Sequence, residues 1–207
     1  MLSTLLAMDP WTILTFIGAA SLLYLTPGAD MMFTIASGAA GGPRAGLAAA
    51  AGISLGVLTH VVFAAAGLAV LVAASPVMLD AIQYVGAAYL AYLAYASWTA
   101  DPNVEQRQGR AQVWRAFRRG YLTNLMNPKV ILFILAFLPQ FTDPAVGPVW
   151  HQIVILGLIL GLGGIVTDGT FGVFAGLAAE RVRKSAGLMN KISAVIFGGL
   201  AARLAIN

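Results

Sequence analysis

Four ionisable side chains, Asp30, His60, Lys129 and Asp168, stand inside long apolar stretches of this sequence. A charge at the centre of a membrane-spanning helix costs about 2.5–3.5 kcal/mol, so each needs a reason: a ligand of opposite charge, a proton path or a buried partner. Asp30 and Lys129 each follow a helix breaker, in Leu25-Thr26-Pro27-Gly28-Ala29-Asp30 and Met126-Asn127-Pro128-Lys129-Val130. The two phrases fall one in each half of the chain and carry opposite charges. Thr26 and Asn127 are good N-caps, and proline is tolerated at a helix's first position. Each phrase therefore predicts the end of one half-helix and the start of another. A new N-terminus offers unpaired N–H groups and a positive dipole end, which suit a carboxylate. Thr26, Pro27, Gly28, Asp30, Asn127, Pro128 and Lys129 are the expected binding residues for something small, polar and zwitterionic. The alternative is a pair of kinks repaired by neighbouring side chains, with Asp30 and Lys129 neutralising each other.

The elements that must hold these residues are transmembrane helices. Of 207 residues 59% are hydrophobic and only 10% charged, against about a quarter charged in a soluble domain. Apolar stretches of spanning length recur at 11–39, 46–74, 77–99, 117–141, 150–178 and 188–206, where about 20 residues are needed to cross. No Lys or Arg precedes the first, so it reads as a retained helix rather than a signal peptide. The chain lacks cysteine, which excludes thiol redox chemistry, thiolate metal sites and disulfides. No cofactor and no resident metal site are expected, and the net charge of +4 does not imply nucleic-acid binding.

Ten of the twelve basic residues fall in the connections after spans 1, 3 and 5 or beside them. They are Arg44, the run Arg107, Arg110, Arg115, Arg118 and Arg119, then Arg181, Arg183, Lys184 and Lys191. That side should be the cytoplasm, which places both termini outside. The basic connection could also rest Trp114 and Phe117 in the headgroup layer, but a solvated loop over 100–116 that sets topology accounts for it equally.

The halves resemble each other. Span 2 reads Gly56-x-x-Thr59-His60-x-x-Phe63 and span 5 reads Gly164-x-x-Thr167-Asp168-x-x-Phe171, while Pro27 pairs span 1 with span 4 through Pro128. The expected fold is all-α: six transmembrane helices in one domain, arranged as a 3+3 inverted repeat of 11–99 and 117–206, with spans 1 and 4 broken.

Depth sharpens the reading. Asp30 lies ~16 Å from Gly41, and Lys129 lies ~15 Å from Arg119, along a helix. Thr26, Asp30, Thr34 and Ser37 share one face of span 1. Gly164, Asp168, Gly172 and Gly176 form a small-residue stripe on span 5, and Ala48, Gly52, Gly56, His60 and Ala64 form one on span 2. These stripes serve either internal packing or a partner copy. Asp168 has no cation near it in sequence and is the first candidate for proton coupling, with His60 the second. His60 equally suits a hydrogen-bonded interior residue.

Pro27-Gly28-Ala29-Asp30, Gly42-Pro43-Arg44-Ala45-Gly46-Leu47 and Gly52-Ile53-Ser54-Leu55-Gly56 resemble the lysine-exporter/homoserine–threonine-exporter (LysE/RhtB) family of bacterial amino-acid efflux proteins. Asn124-Leu125-Met126-Asn127-Pro128-Lys129, Phe133 and Leu138-Pro139-Gln140-Phe141 continue the likeness over the second half. Ala29 departs from it, standing where the family has a second proline. The resemblance implies an inner-membrane secondary transporter that exports a small amino acid or related metabolite, driven by the proton gradient. Two other classes compete. A di-aspartyl intramembrane protease would use Asp30 and Asp168 as a proton-sharing pair, but neither carries a Gly-x-Gly-Asp element and Lys129 opposes the shared proton. A metal or ion translocator has only His60 and His151 as soft ligands.

Overall fold

A computed structural model describes residues 1–66, 109–181 and 186–206, together with scattered positions between 77 and 99. Every regular element among the described residues is helical. They are α1 (Leu2–Ala7), α2 (Pro10–Leu25), α3 (Ala29–Gly41), α4 (Pro43–Ala65), α5 (Gly109–Leu125), α6 (Pro128–Leu132), α7 (Val149–Arg181) and α8 (Ala186–Ile206). A π-helical turn over Phe133–Phe137 and a 3-10 turn over Leu138–Phe141 extend α6. Pro139 has no N–H to donate inside this run, which accounts for the departure from α geometry beside it.

Among the described residues two helices, Pro43–Ala65 and Val149–Ala179, are long and apolar enough to cross a membrane. The pair α2 and α3, bent by 57° between Leu25 and Ala29, makes a third span if counted as one. The expected span 77–99 lies largely outside the described residues, as do 67–74 and 100–108. The basic segment is helical from Gly109, so the helix entering span 4 begins ahead of the expected boundary at 117. Good helix formers and a buried face account for this: Ala116 is buried and Gln112 donates to the Ala40 carbonyl.

α7 packs along α3 and α4, and α4 also packs along α5. Glycine decides how closely. A Cβ on Gly172 of α7 would come within 2.9 Å of the Gly46 Cα, and one on Gly38 within 1.9 Å of the Gly172 carbonyl oxygen. Three backbones therefore meet where these glycines face each other, as small-residue packing in lipid allows. The stripes on spans 2 and 5 are spent inside this chain. Elsewhere the same helices carry apolar side chains outward: Leu55, Val62 and Phe63 from α4, and Leu158, Leu162 and Val166 from α7.

Two apolar clusters divide the interior. One gathers Phe16, Val57, Val61, Val130, Ile134, Leu138, Leu156 and Leu160. Its centre is aromatic: Phe16, fully buried, stands 5.3 Å from Phe141 and 6.2 Å from Phe133, ring centre to ring centre. The other gathers Phe33, Ala36, Ala45, Ala49, Ile53 and Phe197. The two helix breaks fall between them.

Candidate binding site at two helix breaks

The two prolines make breaks of different construction. At the second, the expectation holds in detail. Asn127 is the N-cap of α6, its side chain accepts from the Lys129 backbone N–H at 3.1 Å, and Pro128 opens the helix. At the first, α3 starts at Ala29 with Gly28 as N-cap, so Thr26 is not an N-cap and Pro27 is not a first helical residue. Thr26 is instead the C-cap of α2, with its hydroxyl on the Leu22 carbonyl at 2.7 Å. Thr26, Pro27 and Gly28 form a short extended linker. Asp30 consequently falls in the first turn of α3, where its own carboxylate meets the positive helix end. The α3 N-terminus is thus served by Asp30, and the first free N–H of α6 is served by Asn127.

Lys129 crosses between the breaks. Its Nζ donates to the carbonyls of Leu23 and Thr26, each at 2.9 Å. These carbonyls close the negative end of α2, so an ammonium there satisfies both hydrogen bonding and the helix dipole. Gly28 leaves the room, since a Cβ there would stand 3.0 Å from Nζ.

Asp30, Lys129 and Asp168 line one cavity together with Tyr24, Leu23, Met31, Ile53, Val57, Val130, Leu160 and Gly164. Helices α2, α3, α4, α6 and α7 all contribute. Asp168 is only 2% exposed, and both Asp30 and Lys129 lie within its electrostatic reach. The cation missing from its sequence neighbourhood is supplied in space by Lys129. The space left between these side chains is about that of one water molecule.

Two residues that local spacing did not single out hold this arrangement. Tyr24 reaches from α2 to donate its hydroxyl to the Leu160 carbonyl, and its ring lies against Gly163 and Gly164. Asn124, with no exposed surface, donates from Nδ2 to Asp30 Oδ2 at 2.8 Å. Its place in the motif before Asn127-Pro128-Lys129 was the only sign of it. His60 lies outside the cavity lining, with Nε2 3.4 Å from the Asn124 carbonyl oxygen. That contact fits the interior, hydrogen-bonded reading of His60.

Two carboxylates and a lysine thus meet in one cavity beside two helix breaks, in a chain with helices long and apolar enough to cross a membrane. The chain belongs to the LysE type translocator family, whose profile matches residues 20–207. It is 32% identical to a leucine efflux protein of Klebsiella pneumoniae over 93% of each chain. It is 34% identical to a homoserine/homoserine lactone efflux protein of Salmonella typhi, over 67% of this chain and 68% of that one. An uncharacterised membrane protein of Pseudomonas aeruginosa is 33% identical over 94% of each. No solved structure matches the chain.

Proposed function

We propose that this protein is a secondary active exporter of a small α-amino acid or a related zwitterionic metabolite, working by proton antiport with alternating access in the bacterial inner membrane. The observation that carries the reading is the convergence of Asp30, Lys129 and Asp168 on one cavity from spans 1, 4 and 5. A zwitterion is neutral overall, yet each of its charges needs a partner once out of water. Asp30 meets the substrate ammonium. Lys129 meets the carboxylate by turning from the Leu23 and Thr26 carbonyls, and Asp168 exchanges the coupled proton. The apolar lining from Met31, Ile53, Val57, Val130 and Leu160 suits an uncharged aliphatic side chain. The leucine and homoserine efflux relatives support the class of cargo.

The reading includes six spans in a 3+3 inverted repeat with both termini outside. Its support is that α4 and α7 run as unbroken spans while the chain breaks beside Pro27 and Pro128. The Lys129 ammonium in the same cavity weighs against a proton-sharing carboxyl pair and hence against a protease. The test is binding of labelled leucine to purified protein. Asp30→Asn should weaken it by roughly tenfold or more, the scale of one lost charge-assisted contact, with folding intact. Undiminished binding by that variant rejects the assignment of Asp30.

A further inference from the structure

Glycine fills four of the eight positions 157–164 in the middle of α7. It is the poorest helix former after proline, so α7 is easiest to bend there. The parts on either side are fixed to different neighbours. Before the glycines, Ile153, Leu156 and Leu160 belong to the cluster centred on Phe16. Beyond them, Gly172 lies against the Gly46 backbone and Gly176 against Pro43, both too close for a Cβ. Asp168 stands one turn past Gly164 and lines the same cavity.

Two hydroxyls from the other half of the chain reach this stretch. Ser54 of α4, 2% exposed, donates to the Gly161 carbonyl at 2.9 Å. Tyr24 of α2 donates to the Leu160 carbonyl, and the Gly164 N–H donates to the same phenol oxygen. That carbonyl and that N–H, four residues apart, are the two ends of one rung of the helical ladder. A side chain that engages both ends competes with the rung, and a group inserted into the ladder bends a helix. Glycine makes room for the ring, since a Cβ on Gly163 would stand 3.0 Å from it. At its other end Tyr24 belongs to the last turn of α2, between Leu23 and Thr26, whose carbonyls Lys129 Nζ holds at 2.9 Å each. Lys129, the end of α2, Tyr24 and the glycines of α7 therefore form one continuous line of contacts that stops a turn short of Asp168.

We infer that Tyr24 is a positioning residue that couples Lys129 to Asp168 through a glycine joint in α7. With Lys129 on the Leu23 and Thr26 carbonyls, the last turn of α2 is held and the Tyr24 hydroxyl keeps the joint in its observed geometry. When a substrate carboxylate draws Lys129 away, that turn loosens and Tyr24 leaves the rung. Leu160 and Gly164 then close on each other, the two parts of α7 change their mutual angle, and Asp168 turns with the second. The two states are a rung engaged by Tyr24 and a rung closed on itself, and Lys129 biases the choice between them. The inference rests on the exporter reading above and adds the route by which substrate binding reaches the proton-exchanging group.

The experiment measures the angle of the joint in protein reconstituted into liposomes. Spin labels on Leu158→Cys and Phe174→Cys, exposed positions on either side of it, lie ~24 Å apart along a straight helix. No native cysteine competes for the label. Added leucine should shift the distance between the labels in the otherwise unaltered chain. Tyr24→Phe keeps the ring and removes the hydroxyl, and should show the shifted distance before leucine is added. Gly164→Ala meets only ordinary contacts, 3.4 Å from Ser54 Oγ and 3.5 Å from the Tyr24 ring, and stiffens the joint. It should remove the response to leucine without lowering the thermal midpoint, a combination that structural damage does not produce. It also keeps the test open if Tyr24→Phe fails to fold. An equal leucine-dependent shift in the unaltered chain and both variants, or no shift in an unaltered chain that binds leucine, would overturn the joint while leaving the exporter reading intact. Absence of leucine binding, with other α-amino acids equally inert, would instead overturn both.

Discussion

Lys129 is the residue that ties the two helix breaks together. Its ammonium holds two carbonyls at the end of α2, and these are hydrogen bonds to a charged group worth about 1.5–3 kcal/mol each in mutational series. A ligand carboxylate must compete with them, so Lys129→Met should have two separable effects. Leucine affinity should fall by roughly tenfold or more in equilibrium binding. Reactivity of a reporter cysteine at Leu23 should also become insensitive to substrate, because the contact that substrate would release is already gone. The natural absence of cysteine makes that labelling clean. A Leu23 reporter that still responds to substrate in the Lys129→Met background would show that another group joins the breaks.

Among the elements, the contact of α3, α4 and α7 is the rigid one. Gly172→Ala places a methyl within 2.9 Å of the Gly46 backbone, which has no side chain to move aside. Overpacking of this kind costs about 1–3 kcal/mol, so thermal unfolding of the purified protein should shift clearly downward. Gly18→Ala meets nothing within 4 Å and replaces a poor helix former, so it should leave the midpoint unchanged or raise it slightly. Equal shifts for the two variants would contradict this packing.

What could be read in the sequence follows the same division. The glycine stripes and the break at Pro128 were legible because spacing along one helix determines them. The first break was misplaced by two residues: Thr26-Pro27 satisfies every local rule for a helix start, and only the extended Gly28 moves that start to Ala29. Asn124 and Tyr24 escaped local reading because their partners, Asp30 and the Leu160 carbonyl, lie on other spans. No spacing along one helix encodes such a contact.

At the scale of the whole molecule, charge and aromatic side chains mark two ends. Trp11 and Trp150 are exposed near the starts of α2 and α7, the end where Thr4 bonds His151 at 3.0 Å. Exposed Trp114, Arg115 and Arg118 mark the end where α5 meets the last turn of α3. Aromatic side chains at both ends and arginine at one support the proposed orientation, with the basic end in the cytoplasm. A single cysteine replacing Asp143 should therefore react with an impermeant thiol reagent added outside intact cells. One replacing Arg44 should react only after the membrane is opened, and the reverse pattern would invert the topology.

In the proposed cycle a proton gradient drives a zwitterion out through the cavity shared by Asp30, Lys129 and Asp168. Proteoliposomes loaded with a mixture of labelled amino acids test it most directly, with and without an imposed pH gradient. Selective loss of one class should be accelerated by the gradient, and Asp168→Asn should abolish that acceleration while leucine binding persists. Equal retention of every amino acid by folded protein, or a gradient response undiminished in Asp168→Asn, would contradict the account.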